Sequence, residues 1–297
     1  MNSTLRSLLL LIRPTHWVKN LFVLAGVFFA EDWHRPDLMV LAFSAFAAFC
    51  LASSAVYCIN DILDREEDRG HPVKKMRPLA AGNLSVRTAV LTSLVLSTLA
   101  LAIGIFAHGP QANFKLLITL LAYMVVNLFY SRILKHQVLL DVFCIAFGFI
   151  IRLLAGTWGI GIPPSQWFLL CTLALSLFLG FSKRYAERMD MRRPLNEKRL
   201  VLQSYSPEFL RILLAVTLSA TLITYGLYTT NLETLQIHHT ANLIYTLPLA
   251  MLGLFRYLYL VMEKGLGENT VADILHDKAM LVICFLYFIT VGILLSY

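Results

Sequence analysis

The sequence predicts an all-α membrane protein, with about nine transmembrane helices bundled around a central polar cavity open to the cytoplasm. Three observations predict it: an apolar composition, apolar segments that recur at spanning length, and basic residues confined to alternate connections. Of 297 residues, 58% are hydrophobic and 14% charged, with a mean hydropathy of +0.69. A soluble globule carries about a quarter of its residues charged, so the chain falls among integral membrane proteins. The formal charge of +7 fits cytoplasmic loops that meet anionic lipid or an anionic substrate, and nucleic acid is excluded as a partner on this composition. Cys50, Cys58, Cys144, Cys171 and Cys284 lie inside apolar segments with no metal-ligand spacing, so they read as small hydrophobes.

The chain opens with Arg6 and the apolar run Leu8 to Ile12, followed by Arg13, Pro14, His16 and Lys19. With no small-residue cleavage site, this stretch is expected to be retained as a short interfacial helix leading into the first span. Apolar segments then fall near 20–32, 38–59, 87–107, 114–131, 138–158, 165–182, 209–230, 241–262 and 279–296. Each is close to the roughly 20 residues that cross a bilayer as helix. Together they predict one polytopic transmembrane domain over 1–297.

Charge sorts by connection. Arg6, Arg13 and Lys19 precede the first span, Arg65 to Arg77 follow the second, Arg132 and Lys135 the fourth, and Lys183 to Arg199 the sixth. The intervening connections at 31–37, 108–113, 159–164 and 231–240 hold one basic residue, Arg35. The positive-inside rule then places the N-terminus and every charged loop in the cytoplasm and the C-terminus on the far side.

The densest chemistry follows the second span, where Asn60, Asp61, Asp64, Glu66, Glu67 and Asp68 lead into His71, Lys74, Lys75 and Arg77. If this run is helical, Asp61, Asp64 and Asp68 sit at i, i+3 and i+7 within an arc of about 60°. Carboxylates at a membrane boundary are costly without a partner or a task, and three on one face call for a divalent cation. Lys74 and Arg77 close behind fit a phosphorylated ligand held by metal and cations together. Glu66 and Glu67 fall on another face and read as solvated. His71 has no second histidine at ligand spacing and reads as a loop or phosphate-contacting residue.

A second cluster runs through Tyr130, Ser131, Arg132 and Lys135 to Asp141, with Arg152 about three turns deeper in the fifth span. An arginine at that depth is expected to face a polar cavity and pair with substrate phosphate or an acid; an Asp141–Arg152 ion pair stitching helices is the competing reading. A third cluster, Lys183, Arg184, Tyr185, Glu187 and Arg188, ends the sixth span, and Lys183 and Arg184 are the best placed to reach a phosphate. Near the N-terminus, Trp17 reads as an interfacial belt residue, and Lys19 and Asn20 as site candidates. The connection from Glu263 to Lys278 reads as solvated, with a lid as the alternative.

These motifs carry a resemblance. The pattern N-D-x-x-D-x-x-x-D from Asn60 to Asp68, nine expected spans and a polar motif after the fourth resemble the UbiA-type intramembrane prenyltransferase superfamily over essentially the whole chain. More narrowly, Arg13-Pro14 with Trp17-Val18-Lys19-Asn20, His71-Pro72-x-Lys74-x-x-Arg77-Pro78, Tyr130-Ser131-x-x-Leu134-Lys135 with Asp141, and Lys183-Arg184-Tyr185-Ala186-Glu187 resemble the decaprenyl-phosphate phosphoribosyltransferase branch. Members that prenylate aromatic rings hold an isoprenoid diphosphate through magnesium on two aspartate-rich motifs. Here the second motif has Lys135 and Asp141 but no D-x-x-x-D, which argues against that chemistry.

The branch resemblance implies Mg²⁺, 5-phosphoribosyl-1-diphosphate as donor, a polyprenyl phosphate as acceptor, and a bacterial inner (plasma) membrane location. It implies Asp61, Asp64 and Asp68 as metal ligands, with Asp61, Asp64, Lys135 and Asp141 as the catalytic set. Asp141 would contact the ribose hydroxyls or orient Lys135. Substrate contacts are expected from Lys19, Asn20, Asn60, Lys74, Arg77, Tyr130, Arg152, Lys183, Arg184 and Tyr185. An aromatic prenyltransferase and a transporter are the competing classes; the one-sided placement of charge disfavours the transporter. A homo-oligomer is left open.

Overall fold

The computed structural model describes residues 3–29, 35–70, 73–107, 114–190, 200–268 and 270–296. The described residues are helical and contain no strand. The helices are α1 Ser3–Ile12, α2 Leu21–Phe29, α3 Pro36–Leu63, α4 Arg65–Gly70, α5 Val86–Phe106, α6 Lys115–Arg132 and α7 Leu140–Ala155. They continue with α8 Gln166–Met189, α9 Leu200–Gln203, α10 Pro207–Thr230, α11 Leu232–His238, α12 Leu247–Glu263, α13 Thr270–His276 and α14 Lys278–Ser296. Among the described residues, 9 stretches are long and apolar enough to cross a membrane. They match the expected segments, except that the first runs Thr4–Phe29, because α1 and α2 are joined by the 3-10 turn Pro14–Asn20.

The chain divides into two compact units, one of Met1–Leu134 with Ile151–Pro164 and one of Lys135–Ile150 with Ser165–Tyr297. In the first, α3 is the central element. Pro36 starts it, where a missing N–H leaves no bond unmade. Buried Ala42, Ala45, Ala48, Ala52 and Ala55 repeat at helical spacing, and α5 answers with buried Ala89, Ser93, Ala100 and Gly104. Small residues on both faces let the backbones approach, so Ser93 Oγ donates to the Ala55 carbonyl at 3.0 Å. Ser85 caps α5 by accepting the Thr88 N–H at 3.1 Å.

The tightest approach in this unit is between α2 and the end of α7. A Cβ on Gly156 would stand 1.6 Å from the Val23 carbonyl oxygen, and one on Gly26 would stand 2.2 Å from the Gly156 carbonyl oxygen. Both obstacles are backbone, so no side chain can yield. Gly156→Ala is expected to cost more than about 3 kcal/mol, above the usual overpacking range. A melting temperature within a few degrees of the parent in detergent would refute the packing.

In the second unit α8 and α10 form the main pair, with Phe178, Phe181, Tyr185, Tyr205, Leu210, Leu214, Tyr257 and Val261 in one apolar core. Ser206 caps α10 through the Phe209 N–H at 3.1 Å, and Pro207 occupies its first turn. Asp277 starts α14, accepting the Met280 N–H at 2.7 Å and pairing with Arg256 at 2.7 Å. The guanidinium holds this carboxyl below the ordinary aspartate range. The connection between Glu263 and Lys278, expected to be solvated, contains α13 and is tied down at two points: Gly267 N–H donates to Asp273 Oδ2 at 2.8 Å, and Tyr257 and Thr270 hydroxyls meet at 3.0 Å.

Candidate active site

In the first unit, α3 continues past the apolar face into the acidic run and breaks at Asp64, whose φ of −89° and ψ of 1° leave the helix before α4 restarts. The single helical face expected for three aspartates is therefore corrected to a pair. Asp61 and Asp68 are buried, 2% and 1% exposed, while Asp64 is half-buried at the turn between them. Among the described residues no three His, Cys, Asp or Glu side chains are grouped to hold an ion.

What joins the pair is arginine. Arg77 Nη1 lies 2.6 Å from Asp68 Oδ2 and 3.3 Å from Asp61 Oδ1, and Arg13 Nη2 donates to the same Asp61 oxygen. Lys74 Nζ stands 3.9 Å from Asp68 Oδ1. Two buried carboxylates are thus matched by two guanidiniums, which offsets the cost of taking the acids out of water. Asp61 Oδ2 and Asp68 Oδ1 accept no hydrogen bond from the described residues. Hard carboxylate oxygens with lone pairs to spare are the donors Mg²⁺ takes, so this pair fits the ion. Asn60 Oδ1 accepts from the Ser131 hydroxyl at the end of α6. Glu66 and Glu67 are exposed, as their position on the helix implies, and Glu66 pairs with Arg69 at 2.9 Å. His71 and Pro72 lie outside the described residues, as do Arg192, Arg193 and the rest of 191–199.

Arg13 was legible as a cation before the first span and as part of the Arg13-Pro14 motif, but not as a partner of Asp61. Its backbone is left-handed, φ 52° and ψ 62°, a region that costs a non-glycine residue about 1–2 kcal/mol. Its guanidinium lies 5.0 Å from the Tyr57 ring centroid while it pairs with Asp61. The signal available in sequence was Arg13-Pro14 directly between two apolar runs.

Arg152 does not make the competing ion pair to Asp141. It is 6% exposed, its Nε donates to Asn20 Oδ1 at 2.8 Å and its Nη2 to the Tyr123 hydroxyl at 2.9 Å, with its guanidinium 4.7 Å from the Tyr123 ring centroid. An ion pair to Asp141 fails on helix geometry, since eleven residues of one helix span about 16 Å. Asn20, fully buried, also donates to Ser53 Oγ at 3.2 Å and to Cys50 Sγ at 3.4 Å, so it is the hub that orients Arg152. Trp17 is half-buried, and its Nε1 donates to Ser54 Oγ at 3.0 Å. Lys19 is exposed and Tyr130 half-buried.

In the second unit Asp141 is 0% exposed and is taken by Arg184, whose Nε lies 2.7 Å from Oδ2, and by the Tyr205 hydroxyl, 2.7 Å from Oδ1. Lys135 is half-buried in the turn before α7. Arg184 also donates to Glu187. Consecutive helical residues point about 100° apart, so Arg184 turns inward while Lys183 stays 46% exposed, 4.0 Å from Glu187. Tyr185 is also turned in; it is 3% exposed and its hydroxyl accepts from Arg211 Nε at 3.4 Å. Tyr205 escaped sequence reading altogether. Burial and its bond to the Asp141 carboxylate push its hydroxyl pKa up, so it remains a donor.

Helices of spanning length whose ends carry buried acid–arginine clusters define a polytopic membrane protein. The chain belongs to the UbiA prenyltransferase family, whose family model matches residues 20–264. A decaprenyl-phosphate phosphoribosyltransferase of Mycolicibacterium smegmatis is 38% identical over 221 residues, 73% of this chain and 68% of that protein. One from Corynebacterium glutamicum is 36% identical over 220 residues, 73% of this chain and 65% of that one. Among solved structures, a UbiA homolog from Archaeoglobus fulgidus bound to GPP and Mg²⁺ matches with a TM-score of 0.69 and 20% identity, covering 98% of this chain and 97% of that one. That likeness carries the fold.

Proposed function

We propose that this protein transfers 5-phosphoribose from 5-phosphoribosyl-1-diphosphate to a polyprenyl phosphate of decaprenyl type, in the service of lipid-linked pentose and cell-envelope glycan synthesis. The observation that carries this reading is the 36–38% identity over 73% of the chain to proteins named for that activity. The buried acid pair crossed by arginines supports it, because a diphosphate leaving group needs both a cation and hydrogen-bond donors.

In the reaction an oxygen of the lipid phosphate forms a bond to the anomeric carbon while the bond from that carbon to diphosphate breaks, and the electron pair leaves with the diphosphate. The acceptor phosphate is ionised near neutral pH, so positioning and charge neutralisation dominate over base catalysis. Asp61 and Asp68, with Asp64 at the turn between them, are assigned to Mg²⁺, which when bound neutralises charge on the diphosphate. Arg77, Lys74 and Arg13 surround those carboxylates and are assigned to phosphate oxygens. Lys19, Lys135 and Lys183 are further phosphate-binding candidates, Asn60 and Tyr130 substrate contacts. Asn20, Arg152, Asp141, Arg184 and Tyr185 act by orienting neighbours. The asymmetry of Lys and Arg along the chain supports a cytoplasmic N-terminus and active face in a bacterial inner membrane.

The deciding experiment offers purified protein both donor types. Phosphoribosyl diphosphate should be consumed only with polyprenyl phosphate and a divalent cation present, yielding a lipid-linked phosphoribose. Turnover of a polyprenyl diphosphate onto a hydroxybenzoate-type ring, with no phosphoribosyl lipid, would overturn the reading in favour of aromatic prenylation.

A further inference from the structure

We propose that Tyr205 is a positioning residue whose hydroxyl holds the turn bearing Lys135 in register with the end of α8 that bears Lys183. This rests on the proposed reaction only in assigning those lysines to phosphate. The turn from Lys135 to Leu139 leads into α7, and Leu139 adopts φ 69°, a left-handed backbone that a branched side chain disfavours. Such a conformation persists only where neighbours over-determine it. Its carbonyl accepts the N–H groups of Val142 and Phe143 at 3.0 and 2.9 Å, which starts α7. Its own N–H donates to the Tyr205 hydroxyl at 2.7 Å.

That hydroxyl in turn donates to Asp141 Oδ1 at 2.7 Å, and the other Asp141 oxygen meets Arg184 Nε at 2.7 Å. The Tyr205 backbone is tied to the same stretch of α8, since its carbonyl accepts from Arg188 Nε at 3.0 Å. The ring is fully buried and stacks on Phe209 with centroids 6.4 Å apart, which phenylalanine would do equally well. Packing therefore explains the ring but not the oxygen. The oxygen is a relay between the strained backbone N–H of the turn that carries Lys135 and a buried carboxylate whose other oxygen meets Arg184, the neighbour of Lys183 on α8.

Tyr205→Phe in the full-length protein separates the two roles, because it keeps the ring and removes the relay. The Leu139 amide should lose hydrogen-exchange protection by about tenfold or more while α8 and α10 keep theirs. The KM for phosphoribosyl diphosphate should rise about tenfold with kcat changed less than about threefold, the pattern of lost binding geometry. An unchanged Leu139 exchange rate would overturn the proposal, as would a fall in kcat and melting temperature at constant KM, which marks a purely structural role. If the parent shows no phosphoribosyl transfer, the functional reading fails by itself, and the exchange measurement still decides whether the hydroxyl holds the turn.

Discussion

Arg184→Met is expected to cost about 3–5 kcal/mol of stability, because it strands the fully buried Asp141 carboxylate without a cation. Glu187 loses the same partner but is 18% exposed and can turn to water, so most of the cost falls on Asp141. Tyr205 still donates one hydrogen bond to Asp141, which is too little to solvate a full charge. The double variant Arg184→Met with Asp141→Leu removes both charges and should recover most of the loss, since an apolar pair of similar volume often replaces a buried ion pair at little cost. Lys183→Met, one residue away, should stay within about 0.5 kcal/mol, the usual range for a surface change. Denaturant titration in detergent measures all three. A single variant within about 1 kcal/mol of the parent, the resolution of such a titration, or a double variant no better than the single, would show that the pair does not carry this part of the fold.

Lys183 and Arg184 also show where the sequence is legible and where it stops. Composition and periodicity locate the spans, because each must satisfy its backbone internally over a fixed length, and that leaves a local trace. They also locate charge at span ends. Which of two adjacent cations faces inward depends on the rotation of α8 against α10, a long-range packing matter with no local signature. Arg152 is the same case: its depth was readable, but its partners Asn20 and Tyr123 lie 132 and 29 residues away in the chain. The aspartate triad was readable as an i, i+3, i+7 pattern, and Asp61 and Asp68 do meet on Arg77. The break at Asp64 was not, since one residue at φ −89° and ψ 1° leaves the spacing of the aspartates in sequence unchanged. Tyr205 had no motif at all, because its role depends on a hydroxyl position whose partner Asp141 lies 64 positions away in the chain.

Asp61→Asn and Asp68→Asn should each lower turnover by at least about a hundredfold, the scale of losing one preorganised charge at a developing anion. The amide keeps the shape of the carboxylate and still accepts a hydrogen bond, but it gives up the charge on which both a divalent cation and the arginines depend. Folding should survive. After Asp61→Asn, Arg77 keeps Asp68 at 2.6 Å, and Arg13, which is 19% exposed, retains access to water and the Tyr57 ring. After Asp68→Asn, Arg77 keeps Asp61 and Lys74 remains partly solvated. Removing one acid from a balanced cluster leaves it with excess positive charge, so Mn²⁺ binding, followed as the probe ion, should weaken together with turnover. Glu67→Gln supplies the control: it is exposed on another face of the same short helix and should leave both unchanged. Full activity in both aspartate variants would remove the acid pair from the reaction. A loss of activity with unaltered Mn²⁺ affinity would instead assign the pair to holding Arg13 and Arg77 against the phosphates, since only the arginines then sense the missing charge.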